Sequence, residues 1–167
     1  MLKIGILTIS DKGSRGERVD RSGEVIREMV TPLGEVAAYG IVPDEKADIA
    51  AWLTAWADTD KMDVILTTGG TGLSDRDVTP EATLAVVDKE VPGFGEAMRA
   101  ESLKKTPMAV LSRATAGIRG KSLIVNLPGS PKAVKECLEV VLPAIPHALE
   151  IIKGEVTEHA ASEAGGK

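Results

Sequence analysis

One cysteine, two histidines and four aromatic side chains among 167 residues exclude several kinds of chemistry at the outset. With Cys137 alone, neither an intrachain disulfide nor a thiolate zinc cluster can form. Its spacing from Val134, Val140 and Val141 is that of a packed thiol on a helix face. His147 falls in the last helical pattern and His159 in a polar tail, so a Ser-His-Asp or Cys-His site has no base at hand. Tyr39, Trp52, Trp56 and Phe94 are too few to make stacking platforms for bases. Trp52 and Trp56 stand four apart, on one helix face, and read as core or subunit contact. An excess of positive charge is also missing. The net charge of −5 argues against nucleic acid or an anionic membrane as partner. No apolar run approaches the ~20 residues of a membrane span. The first run is broken by Gly5 and closed by Asp11, which predicts a strand and not a signal peptide. A soluble, cytoplasmic protein is the expectation.

Two common phosphate loops are lacking as well. The nearest match to a Walker A loop, Thr115-Ala-Gly-Ile-Arg-Gly-Lys-Ser122, has threonine where the first glycine belongs and precedes a strand. It reads as a hairpin turn. The dinucleotide fingerprint fails because Asp75 occupies the place of its third glycine.

What is present is concentrated in Val64–Pro80. Four apolar or β-branched residues lead into a loop holding Gly69, Gly70 and Gly72, followed by Asp75 and Asp77. Thr79-Pro80-Glu81 then opens a helix, with Thr79 as the expected cap. A strand, a glycine-rich loop and a helix in that order form a cradle for phosphates or other oxyanions.

The rest of the chain alternates strand with helix. Strands are predicted at Leu2–Ile9, Val36–Val42, Asp63–Thr68, Met108–Leu111 and Ser122–Leu127. Helices are expected at Arg21–Leu33 (stopped by Gly34), Glu45–Ala57 (capped by Asp44), Pro80–Asp88, Glu96–Lys104, Pro131–Leu142 and Pro143–Lys153. Pro92-Gly-Phe-Gly95 reads as an interruption, with Met98 and Leu103 pointing inward after it. One domain spans residues 1–154, and a flexible tail is expected over 155–167. The pattern defines an α/β class, a three-layer α/β/α sandwich with a mostly parallel sheet. Ligands in such folds bind beyond the carboxyl ends of the strands. Four loops fall there: Ser10–Asp20, Pro43-Asp44, Gly69–Asp77 and Asn126–Pro131.

These loops carry acids, hydroxyls, glycines and bases. Phosphoryl or nucleotidyl transfer needs no histidine when the nucleophile is an ionised phosphate; it needs positioning and a divalent cation. Asp44 and Asp77 each stand at the rim as candidate metal ligands, although Asp44 also reads as a plain helix cap. Asp75 is a turn residue. Lys12, Arg15, Arg18 and Arg21 form either an anion clamp or a set of solvated charges.

Seven segments then stand in a telling order. They are Thr8-Ile-Ser-Asp11, Pro43-Asp-Glu45, Thr67-Thr-Gly-Gly-Thr-Gly72, Arg76-Asp-Val-Thr-Pro-Glu81, Pro92-Gly-Phe-Gly-Glu96, Leu111-Ser-Arg113 and Asn126-Leu-Pro-Gly-Ser-Pro131. With them the chain resembles the molybdopterin adenylyltransferase family, the MogA/MoaB group, over roughly Lys3 to Gly154. The resemblance implies transfer of AMP from Mg·ATP to the terminal phosphate of molybdopterin, with pyrophosphate released. It implies Mg²⁺ as cofactor, ATP as co-substrate, a homotrimer and a molybdenum insertase as a possible partner. By position, Asp44 and Asp77 match two essential aspartates, catalytic and metal-binding. Ser10 and Asp11 match a nucleotide-side motif. Thr68, Gly69, Gly70, Thr71 and Gly72, with Asn126, Pro128, Gly129, Ser130 and Pro131, match the segments that hold the pterin and its phosphate. A MoaB-type paralogue that binds pterin with little catalysis, and a trimeric scaffold module, are the competing expectations.

Overall fold

The computed structural model describes residues 1–155. Most of the expected tail, with His159, lies outside the described residues. Six strands form one sheet: β1 (Leu2–Ile9), β2 (Gly34–Val42), β3 (Val64–Thr68), β4 (Lys89–Glu90), β5 (Ala116–Arg119) and β6 (Ser122–Leu127). Seven α-helices accompany them: α1 (Asp11–Ser14), α2 (Arg21–Val30), α3 (Lys46–Asp58), α4 (Thr79–Val86), α5 (Pro92–Leu103), α6 (Pro131–Val141) and α7 (Ile145–Ile152). The strand order is β2-β1-β3-β6-β5-β4. The first four run parallel, while β5 is antiparallel to both neighbours.

Successive side chains of a strand point to opposite faces, and here both faces are covered. Ile4, Ile6, Val64, Leu66, Leu123 and Val125 join α2, α5, α6 and α7 in one core. Leu7, Ile9, Ile65 and Ile124 join α3 and α4 in the other. Burial on both sides is why these strands read as continuous apolar runs. Trp56 is buried against β1, where a Cβ at Gly5 would lie 2.8 Å from its ring. Trp52 packs over Gly40 and meets Trp56 edge to face at 5.5 Å.

Several boundaries differ from the sequence expectation. Met108–Leu111 is not a strand. It lies in a 3-10 helix, Pro107–Leu111, started by Thr106, whose hydroxyl accepts from Met108 N–H at 3.2 Å. The strand paired with β6 is β5, and Gly120 (φ +58°) makes the hairpin turn read from the failed Walker match. Pro92-Gly-Phe-Gly95 does not interrupt a helix; it is the first turn of α5, where a proline's missing N–H costs nothing. Phe94 and Met98 are buried there, whereas Leu103, expected inward, is 48% exposed. Gly34 begins β2 and does not stop α2, because a Cβ there would strike the Leu2 carbonyl at 2.4 Å. The stretch expected as one last helix opens with a 3-10 turn at Leu142–Ala144.

The parallel order creates the site. After β1 the chain turns to the face carrying α2, and after β3 to the opposite face carrying α4. Loops that part in this way open a crevice at the carboxyl ends of the strands.

Candidate functional site

A cavity of about 790 Å³ occupies that crevice. Its walls come from the ends of β1 and β3 and from the loops after β1, β2, β3 and β6. Two consecutive glycines in the left-handed region, Gly69 (φ +98°) and Gly70 (φ +69°), form the floor. Both are required by space as well as by φ. A Cβ on Gly69 would lie 2.4 Å from the Ile9 carbonyl, and one on Gly70 2.2 Å from Thr79 Oγ1. Thr79 fastens the loop from below, its hydroxyl donating to the Gly69 carbonyl and its N–H to that of Gly70. It is therefore not the helix cap expected of it: α4 already includes Thr79, and its side chain serves the glycine loop. Gly69 N–H is taken by the Leu127 carbonyl at 3.2 Å. The amides of Gly70, Thr71 and Gly72 meet no protein acceptor among the described residues.

Hydroxyl groups tie the other loops to this floor. Thr68 Oγ1 donates to the Pro128 carbonyl at 2.6 Å, and Ser22 Oγ to the Gly129 carbonyl at 2.7 Å. Ser130 caps α6 by accepting from Ala133 N–H, and Pro131 occupies the first turn. Asp20 was not singled out by sequence, although an acid two residues before a buried Ser-Gly pair is a recognisable N-cap. It lines the cavity, caps α2 through Gly23 N–H, and accepts from the hydroxyls of Thr8 and Tyr39. Burial and the Asp20 carboxylate push the Tyr39 hydroxyl well above its usual range.

Asp44 and Asp77 line the same cavity, Asp44 beside Gly70 and Asp77 beside Gly72. Asp44 does not cap α3, whose N-cap is Glu45 without a side-chain bond. Instead Asp44 and Asp11 exchange bonds: Asp11 N–H donates to Asp44 Oδ2 (2.8 Å) and Asp44 N–H to Asp11 Oδ1 (3.0 Å). The parallel pairing of β1 with β2 makes this possible by delivering both loops to one point. Burial raises the Asp44 carboxyl above its ordinary range, and the charges of Asp11 and Asp77 add to that rise. Asp11 is held below its ordinary range by the Arg76 guanidinium, which donates to both of its oxygens. Asp77 Oδ2 accepts from the N–H and hydroxyl of Ser74. Asp75 lies in the exposed turn, as expected.

Not every expected residue reaches the cavity. Ser10, Thr68, Gly69, Gly70, Gly129, Ser130 and Pro131 line it together with the two aspartates. Asp11, Thr71, Gly72 and Pro128 stand behind the wall. Asn126 does not line the cavity: it is fully buried, with its amide donating to Thr67 and Thr83 hydroxyls and its oxygen accepting from Thr115 N–H. A carboxamide so placed holds β3, β6 and α4 together. The basic loop also divides. Arg18 and Arg21 line the cavity, whereas Arg15 pairs outside with Glu17. The loop contains a helical turn, α1, capped by Ser10.

Among the described residues no three acidic, histidine or cysteine side chains gather as a metal cage. Two carboxylates facing one cavity suit a different ion. Magnesium keeps several waters and is typically held by one or two carboxylates plus substrate phosphates. Among the described residues, Oδ1 of neither Asp44 nor Asp77 receives a side-chain or backbone hydrogen bond.

Fold and cavity together define a three-layer α/β domain with a glycine-floored cleft suited to oxyanions, lined by both aspartates and arginines. The model of the probable molybdopterin binding domain family matches residues 5–147, and the chain belongs to that family. It is 49% identical to a molybdopterin adenylyltransferase of Helicobacter pylori, over 92% of this chain and 89% of the relative. Identity to the molybdopterin adenylyltransferase of Escherichia coli is 41%, over 95% of this chain and 89% of the relative. Among solved structures, the molybdopterin biosynthesis enzyme MoaB from Thermus thermophilus superposes with a TM-score of 0.88 at 57% identity. That match covers 92% of this chain and 98% of the Thermus chain.

Proposed function

We propose that this chain transfers AMP from ATP to the terminal phosphate of molybdopterin, releasing pyrophosphate, as a step in molybdenum cofactor biosynthesis. Asp44 and Asp77, lining one cavity with the left-handed Gly69-Gly70 floor, carry the reading. ATP and a pterin phosphate each bring negative charge to one crevice, and the two must touch. The unbonded amides of the glycine loop and the N-terminus of α6 receive phosphate oxygens. Arg18 and Arg21, in the same lining, neutralise charge on the phosphates. Asp44 and Asp77 would hold Mg²⁺, which supplies the charge neutralisation that nucleotidyl transfer needs. No general base is required, because the attacking phosphate is already ionised.

The test is to incubate the protein with molybdopterin, ATP and Mg²⁺ and to weigh the pterin product. Asp44→Asn and Asp77→Asn should each lower transfer by at least ~100-fold, about 2.7 kcal/mol of transition-state stabilisation. Pterin affinity should change far less. Near-normal turnover in either variant at saturating Mg²⁺ would refute the placement of the metal.

A second reading is pterin binding with little catalysis, since the family's description names molybdopterin binding and no reaction. Pterin binding by calorimetry without an adenylylated product would select it. A homotrimer fits the exposed Leu103, Met108, Val110 and Leu111 on and after α5, and light scattering giving a stable monomer would refute it. No helix among the described residues is long and apolar enough to cross a membrane; work in the cytoplasm beside an insertase partner belongs to the same proposal.

A further inference from the structure

Asp77 ends a loop held by polar contacts alone: Arg76 pairs with Asp11 and Glu45, and Ser74 donates to the Asp77 carboxylate. Leu73, Ser74, Asp75 and Arg76 are all exposed, so no side chain between Gly72 and Asp77 enters a core. Apolar burial therefore does not fix the carboxylate. One side chain from a distant segment closes both ends of the excursion. Arg113 Nε donates to the Gly72 carbonyl at 2.8 Å, and its Nη2 to the Asp77 carbonyl at 2.7 Å. Its Nη1 meets both oxygens of Glu81 on α4 at 2.7 and 2.9 Å. Its backbone N–H donates to the Thr71 carbonyl at 2.9 Å.

Arg113 is fixed in turn. Arg99 of α5 donates to the Ala114 carbonyl at 2.7 Å and to the Ser112 carbonyl at 3.4 Å, so it brackets residue 113. Gly95 leaves the room, since a Cβ there would lie 2.5 Å from the Ala114 carbonyl. The planar fork of a guanidinium reaches three acceptor groups in fixed directions; an ammonium on a flexible stem does not copy it.

We infer that Arg113 is the positioning residue for Asp77: it sets the separation of Gly72 from Asp77 and thereby the reach of the Asp77 carboxylate toward the cation. The inference rests on the functional reading above. Its charge alone is not the point, because Arg113 and Glu81 are partly exposed and an exposed pair contributes little. What matters is the geometry of the fork.

Arg113→Lys keeps the charge and removes the fork. Its matched control is Arg119→Lys. Arg119 binds the Asp58 carboxylate and the Val86 carbonyl in the same manner, at the end of the sheet away from the cavity. Arg113→Lys should lower kcat by at least ~10-fold, since a misplacement of about 1 Å is costly in a transfer step. It should also raise the Mg²⁺ concentration for half-maximal rate and leave KM for the pterin unchanged. Amide hydrogen exchange at Ser74–Val78 should become faster, and Mg²⁺-dependent binding of a non-hydrolysable ATP analogue should weaken. Arg119→Lys should show none of these changes. If Arg113→Lys fails to fold, Arg113→Gln serves with the same expected results.

Matching kinetics and Mg²⁺ dependence in the two lysine variants would overturn the inference. So would unchanged exchange at Ser74–Val78. If the wild-type protein shows no transfer at all, the functional reading fails. The exchange and nucleotide-binding measurements then decide the role of Arg113 separately.

Discussion

Replacing Gly70 by alanine tests the floor of the cavity, and its consequences follow from two numbers. The residue sits at φ +69°, in the left-handed region. Holding an alanine there costs about 1–2 kcal/mol. The new methyl would lie 2.2 Å from Thr79 Oγ1, so Thr79 must turn away. Its bond to the Gly69 carbonyl is then lost, at about 1 kcal/mol. Together these give about 2–3 kcal/mol, or a fall in Tm of about 4–12 °C for a domain of this length. The same methyl would stand 3.3 Å from Asp44 Oδ1, the face toward which a cation is expected. Transfer should therefore drop by at least ~100-fold even well below the new Tm. Scanning calorimetry and the pterin mass assay measure the two effects separately. Gly129→Ala is the stability comparison: its methyl would only touch Gly69 Cα at 3.5 Å, and its Tm should shift by no more than about 0.5 kcal/mol implies. An unchanged Tm in Gly70→Ala with normal transfer would refute the reasoning.

Other outcomes follow from the same geometry. Gly72→Ala should leave stability nearly unchanged, because its φ is ordinary, yet lower transfer, because the methyl would stand 2.8 Å from Asp77 Oδ2. Paired melting and activity measurements check it, and full activity would argue against Asp77. Asn126→Leu should cost about 2–4 kcal/mol by stranding buried hydroxyls of Thr67 and Thr83. Urea titration reads that loss, while pterin affinity of the folded protein stays the same. Transfer should fall in acid as Asp44 gains its proton, and at a higher pH than an ordinary aspartate would dictate, since burial raises its pKa. Arg76→Gln should move that acid limb further up, because a cation that favours the ionised carboxylates is removed. A pH–rate profile of kcat/KM that does not move, or moves down, would contradict this assignment.

Much of the fold was legible because burial on both faces of a parallel sheet writes itself as unbroken apolar runs at β1, β3 and β6. Proline and glycine marked the Gly69-Gly70 loop, the Gly120 turn and the start of α6, but misled at Gly34, which begins β2, and at Pro92-Gly-Phe-Gly95, which opens α5. The glycine floor was legible because a tight loop demands glycine wherever it occurs. Met108–Leu111 misled because β-like composition does not reveal that Pro107 and Thr106 start a 3-10 helix there.

Local sequence thus determined the alternation of strand and helix, the left-handed loop and the residue types at the strand ends. Tertiary structure alone decided which of those residues share the cavity. Asn126 stands in an expected ligand segment and its buried amide ties Thr67 to Thr83; Asp44 and Thr79 looked like caps, but one pairs with Asp11 and the other holds Gly69. Arg113 had a place in a motif but no role until its fork was seen spanning Gly72, Asp77 and Glu81. The physical reason is range. Backbone preference acts over a few residues, whereas hydrogen bonds between segments 10 to 59 positions apart depend on where the sheet places them.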